Sequence, residues 1–334
     1  AGLQLLSDLN QGLGLSLKPK ALMDCLNCAS LSELLVRELH NVSTEAKRED
    51  ASSQKFEVLD IRHPEGDVSL RELFHIRSLE NLQQIRRLQP QLQIRFLLPL
   101  NMGQRLEVNI SGTGDLVLFL PAFGLSQAQW MPQMKVFAKE FQVMSVTLPG
   151  QGRSGALAHS SLENVAAAIN EALELLQIQQ PVHVVGSSFG GLVGRAFAQA
   201  FPKQVATLTL ANSPDSTSIL ALEDFRKRVA QEVAQEMPSF AKAQYDEALE
   251  TIDLRFYQEL FQKPMGAYLH PDRPLLLIAG RQDRIVDCHD ALSLSRSVRH
   301  AEVSILDEGG HFPNLANPEV FNQSLRLFIA KHEK

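Results

Sequence analysis

In "VVGSSFGG", residues 184 to 191, two serines stand between glycines directly after a β-branched run. A serine at the apex of a tight strand-to-helix turn needs small residues two before and two after it, so that the backbone can fold sharply and leave the hydroxyl exposed. Ser188 meets this with Gly186 and Gly190, whereas Ser187 has Val185 and Phe189 at the same distances. The strand "VHVV" leads in and "GGLVGRAFAQAF" leads out as a helix, a setting that a bare G-x-S-x-G lacks. A serine hydroxyl is a weak nucleophile; it needs a base within hydrogen-bond reach and a third group to orient that base.

Ten histidines compete for the part of base. His311, in "EGGHFPNLANPE", follows the last predicted strand and precedes the final helix, and its glycines permit the backbone that would swing an imidazole over the sheet. For the orienting acid, "LLLIAGRQDRIVD" offers Asp283 directly behind a buried strand, with Asp287 and Asp290 as competitors. Asp283 is favoured because it is nearest the strand's end; Asp287 falls on the way into a helix. The order serine, aspartate, histidine is one of the known arrangements of such triads. A tetrahedral intermediate also needs N–H donors for its oxyanion. Phe189, which opens the helix after the turn, supplies one; Phe123, in "PAFG", is the candidate for the second, with a plain core aromatic as its alternative.

These groups meet only if a sheet brings them to one edge. From about residue 92, short β-rich runs alternate with amphipathic helical segments: "QIRFLLPL", "RLEVNI", "DLVLFLP", helix "SQAQWMPQMKVFAKEF", strand "QVMSVTLP", helix "SLENVAAAINEALELL", then "VHVVGS", "VATLTLAN", "PLLLIAG", "AEVSILD" and a closing helix "PEVFNQSLRLFIAKH". Such alternation predicts right-handed crossovers and a mainly parallel sheet covered by helices on both faces. The interval from about 215 to 270 interrupts it. Phe225, Val229, Val233 and Met237 lie four apart there, and Leu249, Ile252, Phe256 and Leu260 follow at three and four. That spacing predicts at least two amphipathic helices, read as a lid over the carboxyl edge of the sheet in preference to an ordinary core pair.

The chain has 334 residues, 44% hydrophobic and 21% charged, with a formal net charge of -6. No basic stripe interleaved with aromatics points to nucleic acid as a partner. The longest apolar runs fall well short of the roughly 18 residues of a membrane span, and "AGLQLLSDLN" lacks the pattern of a secretion signal. A cytoplasmic protein is expected, which three cysteines also suit. Cys25 and Cys28 form a CxxC without a second pair or a nearby histidine, and are read as incidental.

Residues 92 to 334 resemble the α/β-hydrolase superfamily, on "FLPAFGLSQAQW", "LPGQGRSG", "VGSSFGGLVG", "GRQDRIVD" and "GGHFPNLANPEVF" in that order. The resemblance implies the α/β-hydrolase fold and acyl transfer through Ser188, His311 and Asp283, with no metal or organic cofactor. Many relatives carry His-Gly where this chain has Pro121 and Ala122, which bears on the second oxyanion donor. A serine at the elbow argues against relatives that use an aspartate nucleophile.

Residues 1 to 40 read as helices, with "GLGLSL", "KPKALMDCL" and "SLSELLVREL" similar to the later part of an acyl or peptidyl carrier domain. Residues 41 to 55 are a polar linker by composition. Residues 56 to 91 are a connecting segment in which only a helix is expected. With the carrier resemblance, the hydrolase is similar to the terminal thioesterase of a polyketide or nonribosomal peptide assembly line. It would act on a phosphopantetheine-linked acyl or polyketide substrate delivered by a carrier domain upstream. The alternatives are a helical extension packed on a free-standing carboxylesterase or carbon–carbon hydrolase, and, from another class, a catalytically idle docking module.

Overall fold

The aliphatic and β-branched runs pair into one sheet. The computed structural model describes residues 56–63, 76, 78–101, 103–214, 222–236, 242, 245–246, 249–261 and 273–333. The chain divides into two units, Ala1–Lys55 with Ser69–Ile76 and Phe56–Val68 with Arg77–Lys334, and the sheet belongs to the second. The carrier-like segment, the linker, the CxxC and parts of the lid interval, Met237 among them, lie outside the described residues.

Among the described residues the sheet has nine strands: β1 (Glu57–Arg62), β2 (Gln93–Pro99), β3 (Arg105–Ser111), β4 (Leu116–Leu120), β5 (Gln142–Val146), β6 (Val182–Ser187), β7 (Val205–Ala211), β8 (Leu275–Gly280) and β9 (Ala301–Leu306). Their order is β1-β2-β3-β5-β4-β6-β7-β8-β9. Pairing is antiparallel from β1 through β3 to β5, and parallel from β5 across to β9. The central strands β4, β6 and β8 are buried at every position, as expected where both faces are covered; β4 and β8 read as unbroken apolar runs, and β6 buries His183, which pairs with Thr207 of β7 at 2.9 Å.

Crossover helices supply that cover: α3 (Leu162–Leu175) between β5 and β6, α4 (Phe189–Ala200) between β6 and β7, and α7 (Cys288–Ser297) between β8 and β9. Helix α3 starts where Ser161 accepts the N–H of Asn164, an ordinary serine cap. Further helices of this unit are α1 (Leu79–Leu88), α2 (Met131–Phe137), α5 (Leu222–Glu236), α6 (Leu254–Phe261), α8 (Pro313–Ala316) and α9 (Pro318–His332).

The structure departs from the sequence reading in three places, one being the run Leu249, Ile252, Phe256 and Leu260, which breaks at 251–253 where Asp253 Oδ1 accepts the N–H of Phe256 and α6 starts afresh. The single helix expected over 126–141 is a 3₁₀ turn, Gln127–Trp130, followed by the shorter α2. Pro132 has no N–H and is tolerated only in the first turn of a helix, so the helix begins afresh at Met131. The connecting segment contributes strand β1 as well as the expected helix. "EVLDIR" is short, half-exposed and rich in charge, and its pairing with β2 is irregular between Val58 and Asp60. Those are the features of a protected sheet edge, and they obscure a strand in sequence.

On one face the core gathers around Trp130. Its ring stacks on Phe119 of β4 at 5.0 Å and meets Phe321 of α9 at 5.9 Å, while Phe137 of α2 meets Phe119 edge-on at 6.3 Å. In the lid interval, α5 buries Val229 and Val233, and α6 buries Phe256, Tyr257 and Leu260. Among the described residues no helix is long and apolar enough to cross a membrane. Phe321 is fully buried between α9 and the sheet. Its replacement by alanine should cost about 3–5 kcal/mol, read as an earlier urea midpoint with an unchanged slope.

Candidate active site

Strand β6 ends at Ser187, whose side chain stays buried, and the chain turns at Ser188 into α4. Ser188 has φ 49° and ψ −116°, a conformation that L-residues adopt only where surrounding contacts impose it. Two of those contacts are glycines. A Cβ on Gly186 would lie 2.3 Å from the carbonyl oxygen of Gly190; one on Gly190 would lie 2.3 Å and 2.5 Å from the carbonyl oxygens of Leu120 and Pro121. The elbow is therefore pressed against its own helix and against the loop after β4. The N–H of Ser188 donates to Ala211 at the end of β7 (2.8 Å), which fixes the turn to the neighbouring strand.

The loops after β8 and β9 bring the other two groups. His311 Nε2 lies 2.9 Å from Ser188 Oγ, and His311 Nδ1 lies 2.9 Å from Asp283 Oδ2. The side chains of His311 and Asp283 are both 0% exposed. Gly280, the last residue of β8, makes this approach possible: a Cβ there would meet the carbonyl oxygens of Gly309 and Gly310 at 2.3 Å each. Asp283 Oδ1 accepts the N–H groups of Ile285 (2.7 Å) and Val286 (3.0 Å), and Oδ2 also accepts the side-chain amide of Asn212. Burial alone would raise the proton affinity of this carboxyl. The adjacent His311 and the two backbone N–H groups outweigh it, so Asp283 is held below the usual carboxylate range. The competing acids go elsewhere: Asp287 caps α7 and pairs with His289 at 2.7 Å on the surface, and Asp290 lies in the first turn of that helix.

Phe123 lies in the loop after β4, its ring edge-on to Phe189 at 6.5 Å, to Tyr257 at 5.0 Å and to Phe261 at 5.9 Å. Phe189 in turn stacks on Phe261 at 5.7 Å. The residue after the elbow, the loop after β4 and helix α6 thus share one aromatic cluster. Beneath it the chain is closed, with Ser188 1% and His311 0% exposed.

Two buried glutamines that motif reasoning missed hold this loop. Gln129 Oε1 accepts the N–H of Ala122 (2.8 Å), and Gln151 Oε1 accepts that of Gly124, so the amides on either side of Phe123 are anchored by side chains. The loop is therefore braced even with Pro121 and Ala122 in place of His-Gly. Gln151 also donates to the Tyr257 hydroxyl (2.8 Å), which donates to the Pro149 carbonyl (2.9 Å). Burial pushes the Tyr257 phenol far up, against the opposing effect of Gln151, so it stays a neutral donor. Gln129 further contacts Asn314 (3.4 Å), three residues after His311. Nothing in the local sequence marks the two glutamines: Gln129 lies among other glutamines in "SQAQWMPQ" and Gln151 between glycines in "PGQGRSG".

Among the described residues, Asp287, Cys288 and His289 group possible metal-ligand atoms within 4.8 Å of one another at the start of α7, with Asp287 and His289 exposed and Cys288 half-buried.

Gly190→Ala should prevent the elbow from closing, because the obstructing atoms are backbone carbonyls that cannot swing aside; a large fall in Tm and loss of fluorophosphonate labelling at Ser188 are expected. The lowered proton affinity of Asp283 contributes stability that is fully present above its unfolded value, about 3.9, and is lost as pH falls through the lower folded value. The stability gap between wild type and Asp283→Asn should therefore narrow below about pH 4, measured by thermal denaturation across the acid range.

The monoacylglycerol lipase ABHD6 of Bos taurus is 24% identical over 253 residues, covering 64% of this chain and 75% of its own. The 3-oxoadipate enol-lactonase 1 of Acinetobacter baylyi is 22% identical over 251 residues, covering 68% and 94%. Among solved structures, a thermophilic esterase from Thermogutta terrifontis superposes with a TM-score of 0.59 at 22% identity, over 72% of this chain and 99% of that one. Residues 117–324 match the alpha/beta hydrolase family. That match runs from β4 into α9 and spans more than half of the sequence, so this chain belongs to the alpha/beta hydrolase family.

Proposed function

We propose that this hydrolase is a serine carboxylester hydrolase acting on a small ester or lactone with a largely apolar acyl part. The observation that carries the reading is the continuous chain Ser188 Oγ, His311, Asp283, with both bonds at 2.9 Å and the serine in its strained turn. As Ser188 Oγ attacks the carbonyl carbon, its proton passes to His311 Nε2, and buried Asp283 stabilises the imidazolium through Nδ1–H. The carbonyl oxygen becomes an oxyanion, for which the N–H groups of Phe189 and Phe123 are the donors, each worth about 3 kcal/mol. Collapse expels the alkoxide, which takes the proton from Nε2 and leaves as an alcohol. Water then attacks the acyl-enzyme, giving its proton to His311, and the acid leaves with Ser188 restored. The aromatic cluster of Phe123, Phe189, Tyr257 and Phe261 supports an apolar acyl group.

The relatives named as lipase and enol-lactonase favour esters over the carrier-bound thioesters that the first forty residues suggest. Comparing p-nitrophenyl esters, a lactone and acyl-pantetheine thioesters decides between them. Hydrolysis of the esters or the lactone is expected, with kcat down by at least about 10⁴-fold in Ser188→Ala. A clear preference for the thioesters would turn the reading to a thioesterase, and a native protein that neither hydrolyses any substrate nor takes a fluorophosphonate would leave the idle docking module.

A further inference from the structure

We propose that Asn212 is a positioning residue for the hydrolytic reaction, its single amide holding together the two chain segments that carry the acid and the histidine. The inference rests on the serine-hydrolase reading.

Asn212 follows the last residue of β7 and is buried. It touches the segments of the acid and the histidine, while its neighbour Ala211 accepts the N–H of Ser188. Its own N–H donates to the carbonyl of Ile278 in β8 (2.8 Å), and its Oδ1 accepts the N–H of Gly280 at that strand's end (3.0 Å). Its Nδ2 donates to the carbonyl of Gly310 (2.9 Å), immediately before His311, and to Asp283 Oδ2. Both donor hydrogens and the acceptor of one side chain are engaged. Aspartate has no such donors and leucine has neither function, so an amide of this length is what the site requires.

The bond to Oδ2 matters most. That oxygen also accepts His311 Nδ1–H, while Oδ1 is held by the N–H groups of Ile285 and Val286 from its own loop. Asn212 is thus the donor that ties the carboxylate to a neighbouring strand, and the same nitrogen steadies the backbone from which the imidazole projects. The acid and the base are referenced to one atom. The backbone at Asn212 has φ 46°, in the left-handed region that asparagine tolerates better than most residues, and glycine at no steric cost. Asn212 touches no substrate in this scheme; it acts through Asp283 and His311.

Two variants test this. Asn212→Gly fits the backbone and removes all three side-chain contacts. Asn212→Asp keeps an acceptor for Gly280 and sets a second acceptor against Oδ2 and the Gly310 carbonyl. Each is assayed for fluorophosphonate labelling rate, kcat and KM on a p-nitrophenyl ester, the downfield proton resonance of the His–Asp hydrogen bond, and Tm. We expect kcat and labelling to fall by about 10²-fold in Asn212→Gly and further in Asn212→Asp, with KM within about threefold and the resonance lost or moved. Folded variants that label and turn over within about threefold of wild type, or lose activity only in proportion to their unfolded fraction, overturn the assignment. If wild type itself does not label, the serine-hydrolase reading fails and takes this inference with it, which is distinct from variants that match an active wild type.

Discussion

A carboxylate and an imidazole, both withdrawn from water, set the terms for the rest of this unit. Removing a charge from water costs several kcal/mol unless donors replace the lost hydration. Asp283 meets that cost with two backbone N–H groups, His311 and Asn212. Because these come from the β8 loop, the β9 loop and the end of β7, the pair can be satisfied only when the carboxyl ends of neighbouring parallel strands lie side by side. The architecture is thus a requirement of the buried carboxylate as much as a scaffold for it.

The same logic explains where glycine is unavoidable. At Gly186 and Gly190 the strained serine turn lies against the helix start and the loop after β4; at Gly280 the histidine loop lies on the end of β8. In each case the closest atoms are backbone carbonyls. Side chains could repack around an added methyl, but backbone held in sheet and helix hydrogen bonds cannot move without undoing the elements that hold the reactive groups.

Above this rigid floor the loop after β4 and helix α6 form one hydrogen-bonded and aromatic assembly. Gln151 links the amide beside Phe123 to Tyr257 of α6, and the N–H of Asp253, just before α6, donates to the Gly150 carbonyl. Helix α6 and the loop that carries a candidate oxyanion donor therefore share their supports.

Much of this is legible in the chain itself. The G-x-S-x-G spacing singles out Ser188 over Ser187 because the steric demand of the turn is local, and unbroken apolar runs mark β4 and β8 because strands covered on both faces bury mostly apolar side chains. His311 and Asp283 can be named from their places behind strands, since chain order fixes which sheet edge a loop occupies. What stays hidden depends on partners distant in sequence. The edge strand β1 carries too much charge to announce itself, and Pro132 redistributes helix into a 3₁₀ turn only when packing chooses the break. Gln129, Gln151 and Asn212 look like any buried-loop amides until their hydrogen-bond partners are known. Short-range sterics and periodic burial make the kind of fold and the candidate nucleophile readable from residue order alone. Which polar groups satisfy one another is settled only in three dimensions, because in a dry interior that choice follows proximity in space and not along the chain.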